Sequence, residues 1–212
     1  MDGFTPWPVS FREQYRKAGY WQEKPLASII EEAAAQWPDR IAVSFNGEHT
    51  TYGELHRKVN RLALHLAALG HRPLDRMILQ MPNRPETLYL YFAAVKIGVI
   101  PIMALAAHRL AEISFFAEFA AVKSYAIPGI YAKFDYPGLA AEVRTKAPSL
   151  KNVFVLADEV PEGMLPLKKL LNDPIEERID GKAIFADLRP DPYEPAIFQL
   201  SGGTTGIPKL IP

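Results

Sequence analysis

The chain has 212 residues, 49% hydrophobic and 23% charged, an ordinary globular balance with room for one large domain or two small ones. Lys and Arg number 24 against 24 Asp and Glu, so there is no overall electrostatic footprint for nucleic acid or an anionic membrane. Cysteine is absent, which excludes disulfides, thiol catalysis and zinc–thiolate sites; the start carries no apolar signal core and no later run reaches membrane-spanning length, so the cytoplasm is the expected compartment.

Residues 1–25 bring aromatics in clusters: Phe4 with Trp7, Phe11 with Tyr15, and Tyr20 with Trp21. Ser10 and Glu13 have the spacing of a capping box for a helix through Lys17, with Gly19 as its stop. As large hydrophobic anchors, these aromatics are expected to dock the segment on the main body. Leu26, Ile29, Ile30, Ala33, Ala34 and Trp37 recur at helical spacing. A strand follows over 41–45, and Asn46-Gly47 is a hairpin turn leading back through His49 to Thr51. Thr51 and Glu54 form a second capping box, opening a helix with Leu55, Val59, Leu62, Leu66 and Leu69 on one face and Gly70 at its close.

From Arg76 the rhythm becomes strand, helix, strand, helix. Strands are expected at 77–81, 99–103, 124–127 and 152–156, and helices at 86–97, 111–122 and about 139–146. Such alternation predicts an α/β fold, a mainly parallel sheet flanked by helices. Ligands gather at the carboxyl ends of strands in open sheets of this kind. His108 and Arg109, just past the 99–103 strand, therefore either line a site or fix a turn and pair with surface carboxylates. Residues 158–195 are rich in proline and charge, and read as a long surface connection with one short helix at 165–171.

The chain ends on its densest chemistry. Ala196 to Leu200 reads as a buried strand, followed by Ser201, Gly202, Gly203, Thr204, Thr205 and Gly206, and then Lys209 after Ile207 and Pro208. The three glycines permit close backbone approach, successive N–H groups make a concave anion site, and the three hydroxyls can donate to phosphate or face a metal ion. Lys209 adds a mobile positive charge. This is the equipment for gripping nucleotide phosphates. A flexible linker would need neither the lysine nor the strand. The Walker A loop does not fit, because Pro208 and Leu210 stand where that motif needs glycine and a hydroxyl. The five histidines show no metal-ligand spacing, Ser201 lacks a nucleophile-elbow context, and no G-x-G-x-x-G follows a strand.

SGGTTGIPK resembles the phosphate-binding signature of adenylate-forming enzymes, and the longer FQLSGGTTGIPKLIP resembles their aryl-acid AMP ligase branch, in particular the ligases of 2,3-dihydroxybenzoate. Leu210 replaces the glycine that follows the motif lysine in most of the superfamily, and matches this branch. TTYGEL, VKIGVIPIMALAAHR and the FTPWP opening are similar to further stretches of the same family, so the likeness covers the whole chain. It implies activation of an aryl carboxylic acid by ATP with Mg2+, to an aryl adenylate and pyrophosphate. The aryl group then passes to the phosphopantetheine thiol of an aryl carrier protein, in siderophore biosynthesis. It also implies that Ser201, Gly202, Gly203, Thr204, Thr205, Gly206 and Lys209 hold the ATP phosphates. The expected organisation is a docking segment at 1–25 and a partial AMP-binding domain at 26–212, with the C-terminal domain and the catalytic, ring-binding and adenine-binding residues beyond it, and the fragment by itself inactive. Salicylate is the alternative acid. A general acyl-CoA synthetase and a non-catalytic remnant that binds nucleotide weakly are the alternative functions.

Overall fold

A computed structural model of the chain describes residues 5–201 and 209–212. The first helix, α1 (Val9–Lys17), starts earlier than the Ser10–Glu13 spacing predicts. Pro8 is its N-cap, its carbonyl accepting from the N–H groups of Phe11 and Arg12, and no side chain caps it, so the predicted box does not form. Gly19 ends the helix as expected: at φ +75° it allows Tyr20 N–H to reach Tyr15 O, and Gly19 N–H reaches Arg16 O. Tyr15 collects Trp7, Phe11, Tyr20 and Trp21 around itself. The segment meets the main body at Tyr193, through the Trp21 ring edge and the Arg16 guanidinium 4.4 Å from the ring centre.

Helix α2 (Ser28–Gln36) buries Ile30, but Ile29 and Trp37 of the predicted stripe are exposed. The hairpin β1 (Ile41–Phe45) and β2 (Glu48–Thr51) turns at Asn46 and Gly47, both at positive φ (51° and 82°), the primed turn that this dipeptide favours. Helix α3 (Tyr52–Ala68) opens on the predicted capping box: Glu54 N–H donates to Thr51 Oγ1 at 3.2 Å and Thr51 N–H to Glu54 Oε2 at 2.9 Å. That backbone bond holds the Glu54 carboxyl below its ordinary range. Leu55, Val59, Leu62 and Leu66 are buried, each leucine contributing about 2 kcal/mol of transfer energy.

The central sheet alternates strand and helix: β3 (Arg76–Leu79), α4 (Pro85–Lys96), β4 (Ile100–Met103), α5 (Leu110–Phe119) and β5 (Ser124–Pro128). A small hairpin follows, β6 (Ile130–Tyr131) with β7 (Phe134–Asp135), which the periodicity did not indicate. Then come α6 (Tyr136–Lys146), β8 (Asn152–Leu156) and an edge strand β9 (Leu165–Pro166). Helix α6 begins three residues before the expected start because the Asp135 side chain caps it, accepting from Gly138 N–H at 3.0 Å. Strand order is β4-β3-β5-β8-β9, every neighbouring pair parallel. The expected α/β class with a parallel sheet therefore holds. Helices α3 and α4 cover the face presenting Met77, Leu79, Ala126 and Phe154. Helices α5 and α6 cover the face presenting Ile78, Ile102, Tyr125 and Val153.

Residues 158–195 are more ordered than predicted. Helix α7 (Leu167–Asn172), a 3₁₀ turn (Ile175–Glu177) and helix α8 (Gly181–Asp187) run along the α3 face. Leu167, Ile175 and Leu188 anchor this stretch by burial, and Arg61 grips it by donating to Glu176 Oε1 and to Leu171 O, both at 3.0 Å. The expected buried strand at 196–200 is also corrected. Only Phe198 is buried there, and it makes a single parallel bridge beside β4: its N–H donates to Pro101 O at 2.9 Å and Met103 N–H donates to its carbonyl at 3.2 Å. Strand β10 (Gln199–Ser201) then pairs antiparallel with β11 (Lys209–Ile211).

Candidate functional site

Strand β3 sends the chain to the α4 face, while β4 and β5 send it to the α5/α6 face. Connections that part in this way open a crevice at the carboxyl ends of the strands, here centred on the end of β3. The parallel bridge from Phe198 to Ile102 directs the chain toward the same edge.

At that edge Ser201 lies opposite Lys209 in the β10–β11 ladder, so the two ends of the predicted phosphate loop are side by side. Leu200 pairs with Leu210, and both pack on the core face under α5 and α6. The leucine after the motif lysine thus has a packing role. Lys209 itself is exposed. Gly202, Gly203, Thr204, Thr205 and Gly206 lie outside the described residues.

His108 and Arg109 lie in the connection from β4 to α5, at the same edge. His108 Nδ1 accepts from Leu105 N–H at 3.2 Å, its ring meets Phe116 edge-on, and burial lowers its pKa. Arg109 is the N-cap of α5. Its N–H donates to Glu112 Oε2 at 2.9 Å, a bond that also keeps the Glu112 carboxyl low. The guanidinium bonds the carbonyls of Ala106 (2.7 Å) and His108 (2.9 Å) and sits 3.9 Å from the centre of the Phe134 ring. Both residues therefore organise a turn at the carboxyl edge of the sheet, through carbonyls, aromatic rings and, for the Arg109 N–H, the Glu112 carboxylate.

Three residues not singled out from the sequence hold this turn from below. Gln80, fully buried just past β3, donates from Nε2 to Leu105 O (2.8 Å) and to His108 O (2.9 Å). Tyr125 donates its hydroxyl to Gln80 Oε1, and its burial pushes the phenol pKa up. Tyr136 donates to Ala106 O at 2.9 Å. The signal for Gln80 was present in the sequence: one amide in an otherwise apolar strand. A groove of about 520 Å³ runs between the β1–β2 hairpin, α4 and the chain at Ile197, lined by Phe45, Leu88, Tyr91, Met103 and Gln199. Among the described residues, no three His, Asp or Glu side chains converge to hold a metal ion, and no helix is long and apolar enough to cross a membrane.

An open parallel sheet flanked by helices, with the chain returning beside β4 to pair Ser201 with Lys209, is the architecture of an adenylate-forming enzyme. Residues 30–212 match the AMP-binding enzyme family, and the chain belongs to it. Over 213 aligned residues it is 38% identical to the 2,3-dihydroxybenzoate-AMP ligase of Bacillus subtilis (strain 168), covering 100% of this chain and 37% of that protein. It is 35% identical to the salicyl-AMP ligase / salicyl-S-ArCP synthetase of Mycobacterium tuberculosis (strain ATCC 25618 / H37Rv), with coverage of 100% and 37%. Among solved structures, apo MbtA of Mycobacterium smegmatis superimposes with a TM-score of 0.87 at 36% identity, over 99% of this chain and 37% of that one. The chain thus spans little more than a third of the length of these relatives.

Proposed function

We propose that this chain supplies the phosphate-gripping part of an aryl-acid AMP ligase. The acid carboxylate attacks the α-phosphorus of ATP, a mixed aryl–AMP anhydride forms, and pyrophosphate leaves with its bonding electron pair. The acid is 2,3-dihydroxybenzoate, in siderophore biosynthesis, and the aryl group then passes to the thiol of an aryl carrier protein. Catalysis of this kind depends on positioning and on charge stabilisation more than on covalent help. Gly202, Gly203 and Gly206 bring backbone N–H groups to the β- and γ-phosphates, Ser201, Thr204 and Thr205 donate hydroxyls, and Lys209 adds a positive charge. Magnesium shares the phosphate charge when ATP is bound. His108 and Arg109 line the same edge.

The observation that carries this reading is the pairing of Ser201 with Lys209 beside β4, in a chain of the AMP-binding enzyme family. The relatives named for aryl-acid activation support the substrate class, and the name salicyl-S-ArCP synthetase supports the carrier step. Acid-dependent ATP–pyrophosphate exchange tests it, in the polypeptide that carries this chain. Exchange with 2,3-dihydroxybenzoate exceeding that with salicylate is the expected result. Preference for salicylate corrects the acid, and exchange with neither acid overturns the reading.

A further inference from the structure

We propose that Gln80 is a positioning residue: its buried amide, oriented by Tyr125, holds the turn of residues 105–109 in the conformation that carries His108 and Arg109 at the carboxyl edge. This rests on the reading above, in that the carboxyl edge is taken as the substrate edge.

Gln80 is 0% exposed and follows three buried apolar residues of the central strand β3. An amide there is costly unless its polar groups are paired, and a leucine or methionine would fill similar space without that demand. All three of its side-chain bonds point to one purpose. Leu105 O and His108 O can only accept, so the amide nitrogen faces them and both its hydrogens are used. The amide oxygen is then left to the Tyr125 hydroxyl, which fixes which way the amide points. Tyr136 donates to a further inner carbonyl, Ala106 O. Three carbonyls of one five-residue turn are thus held by the side chains of Gln80, just past β3, and Tyr136 of α6. On that frame the turn makes its own bonds: His108 N–H to Leu105 O at 3.0 Å, Leu105 N–H to His108 Nδ1, and the Arg109 guanidinium to Ala106 and His108. With the carbonyls released, the amides of Leu105 and His108 lose their protection and His108 loses its fixed orientation.

The test compares Gln80→Leu with Ser124→Ala, a variant that also removes a buried bond but at the opposite end of the sheet. In the 212-residue chain, Gln80→Leu should speed amide hydrogen exchange at Leu105 and His108 by about tenfold, the factor expected for losing two ordinary hydrogen bonds, with the amides of β5 and β8 unchanged. Ser124→Ala should leave the 105–109 amides at the wild-type rate. Where the wild-type polypeptide catalyses acid-dependent pyrophosphate exchange, Gln80→Leu should lower kcat/KM about tenfold and Ser124→Ala should not, since misplacement distant from the chemistry still costs rate. A wild-type rate at 105–109 in Gln80→Leu, or equal acceleration at every amide, overturns the proposal. If Gln80→Leu does not fold, Tyr136→Phe decides by the same measurement, with a smaller local acceleration expected. Absence of pyrophosphate exchange in the wild type would defeat the proposed function, while the amide rates would still judge the clamp.

Discussion

The two ends of the central sheet use the same chemistry for opposite purposes. At the amino end, His71 is fully buried and burial lowers its pKa, so the ring is neutral. Its Nδ1–H donates to Leu66 O at 2.9 Å and its Nε2 accepts from the Ser124 hydroxyl at 2.6 Å. Arg76 bonds the carbonyls of Leu74 (2.7 Å) and Ala120 (2.5 Å), and Lys123 bonds Gly70 O and Asp75. Each of these groups closes a helix end or a turn that feeds a strand. At the carboxyl end, Gln80, Tyr125 and Tyr136 instead hold up a turn that leaves the sheet, with Leu105 64% exposed. Buried polar groups must be paired at either end. What differs is whether their partners finish the core or hold up an exposed turn, which we propose faces the substrate.

The contrast can be tested first at the carboxyl end, where the effect is largest. Lys209→Ala should lower acid-dependent pyrophosphate exchange about a hundredfold, the scale of removing one stabiliser of transition-state charge. Its melting temperature should not move, because Lys209 is exposed. A matching loss of thermal stability would remove the distinction between the two ends. At the amino end, His71→Leu should show the reverse pattern. It leaves the Ser124 hydroxyl and a helix-end carbonyl short of a partner, costing about 1–3 kcal/mol in urea unfolding. The exchange rate per folded molecule should stay at wild type.

Acid should act through the same histidine. The folded pKa of His71 is depressed by burial, as are those of His56 and His108. The unfolded chain therefore binds protons near pH 6.5 that the folded chain takes up only at lower pH. Stability is full above that value and falls as pH drops through it toward the depressed folded pKa, by up to about 1.4 kcal/mol per pH unit for the buried His71 and by less for the more exposed, solvent-screened His56 and His108. Urea midpoints measured between pH 7.5 and 5.5 should fall, with a shallower fall in His71→Leu. The smallest effect lies away from both ends, at the start of α3. Thr51→Ala removes the cap and should cost about 1 kcal/mol in the same unfolding assay, with no change in exchange.

Whether an element was legible depended on how far apart in sequence its partners lie. Asn46-Gly47, the Thr51–Glu54 box and the Gly19 stop involve neighbours within a few residues, and local backbone preference selects the residues that serve them. Ser10–Glu13 had equally good spacing and failed because Pro8 opens the helix two residues sooner. The stretch 158–195 looked irregular because none of its short helices buries more than one residue, too few to set a period. The His71–Ser124 pair spans 53 residues, and the bonds from Gln80 to Leu105, His108 and Tyr125 span 25, 28 and 45.

The alternation of strand and helix, the family likeness and the glycine-threonine segment are properties of adjacent residues, so the sequence alone determined the parallel α/β class and carried the expectation of phosphate chemistry at 201–209. Tertiary structure alone decided that β3 parts the connections, that Ser201 comes to rest opposite Lys209, and that a buried glutamine carries the turn bearing His108 and Arg109. Hydrogen bonds between distant segments leave no periodic trace along the chain. They are chosen by the need to pair every polar group that the packed sheet removes from water.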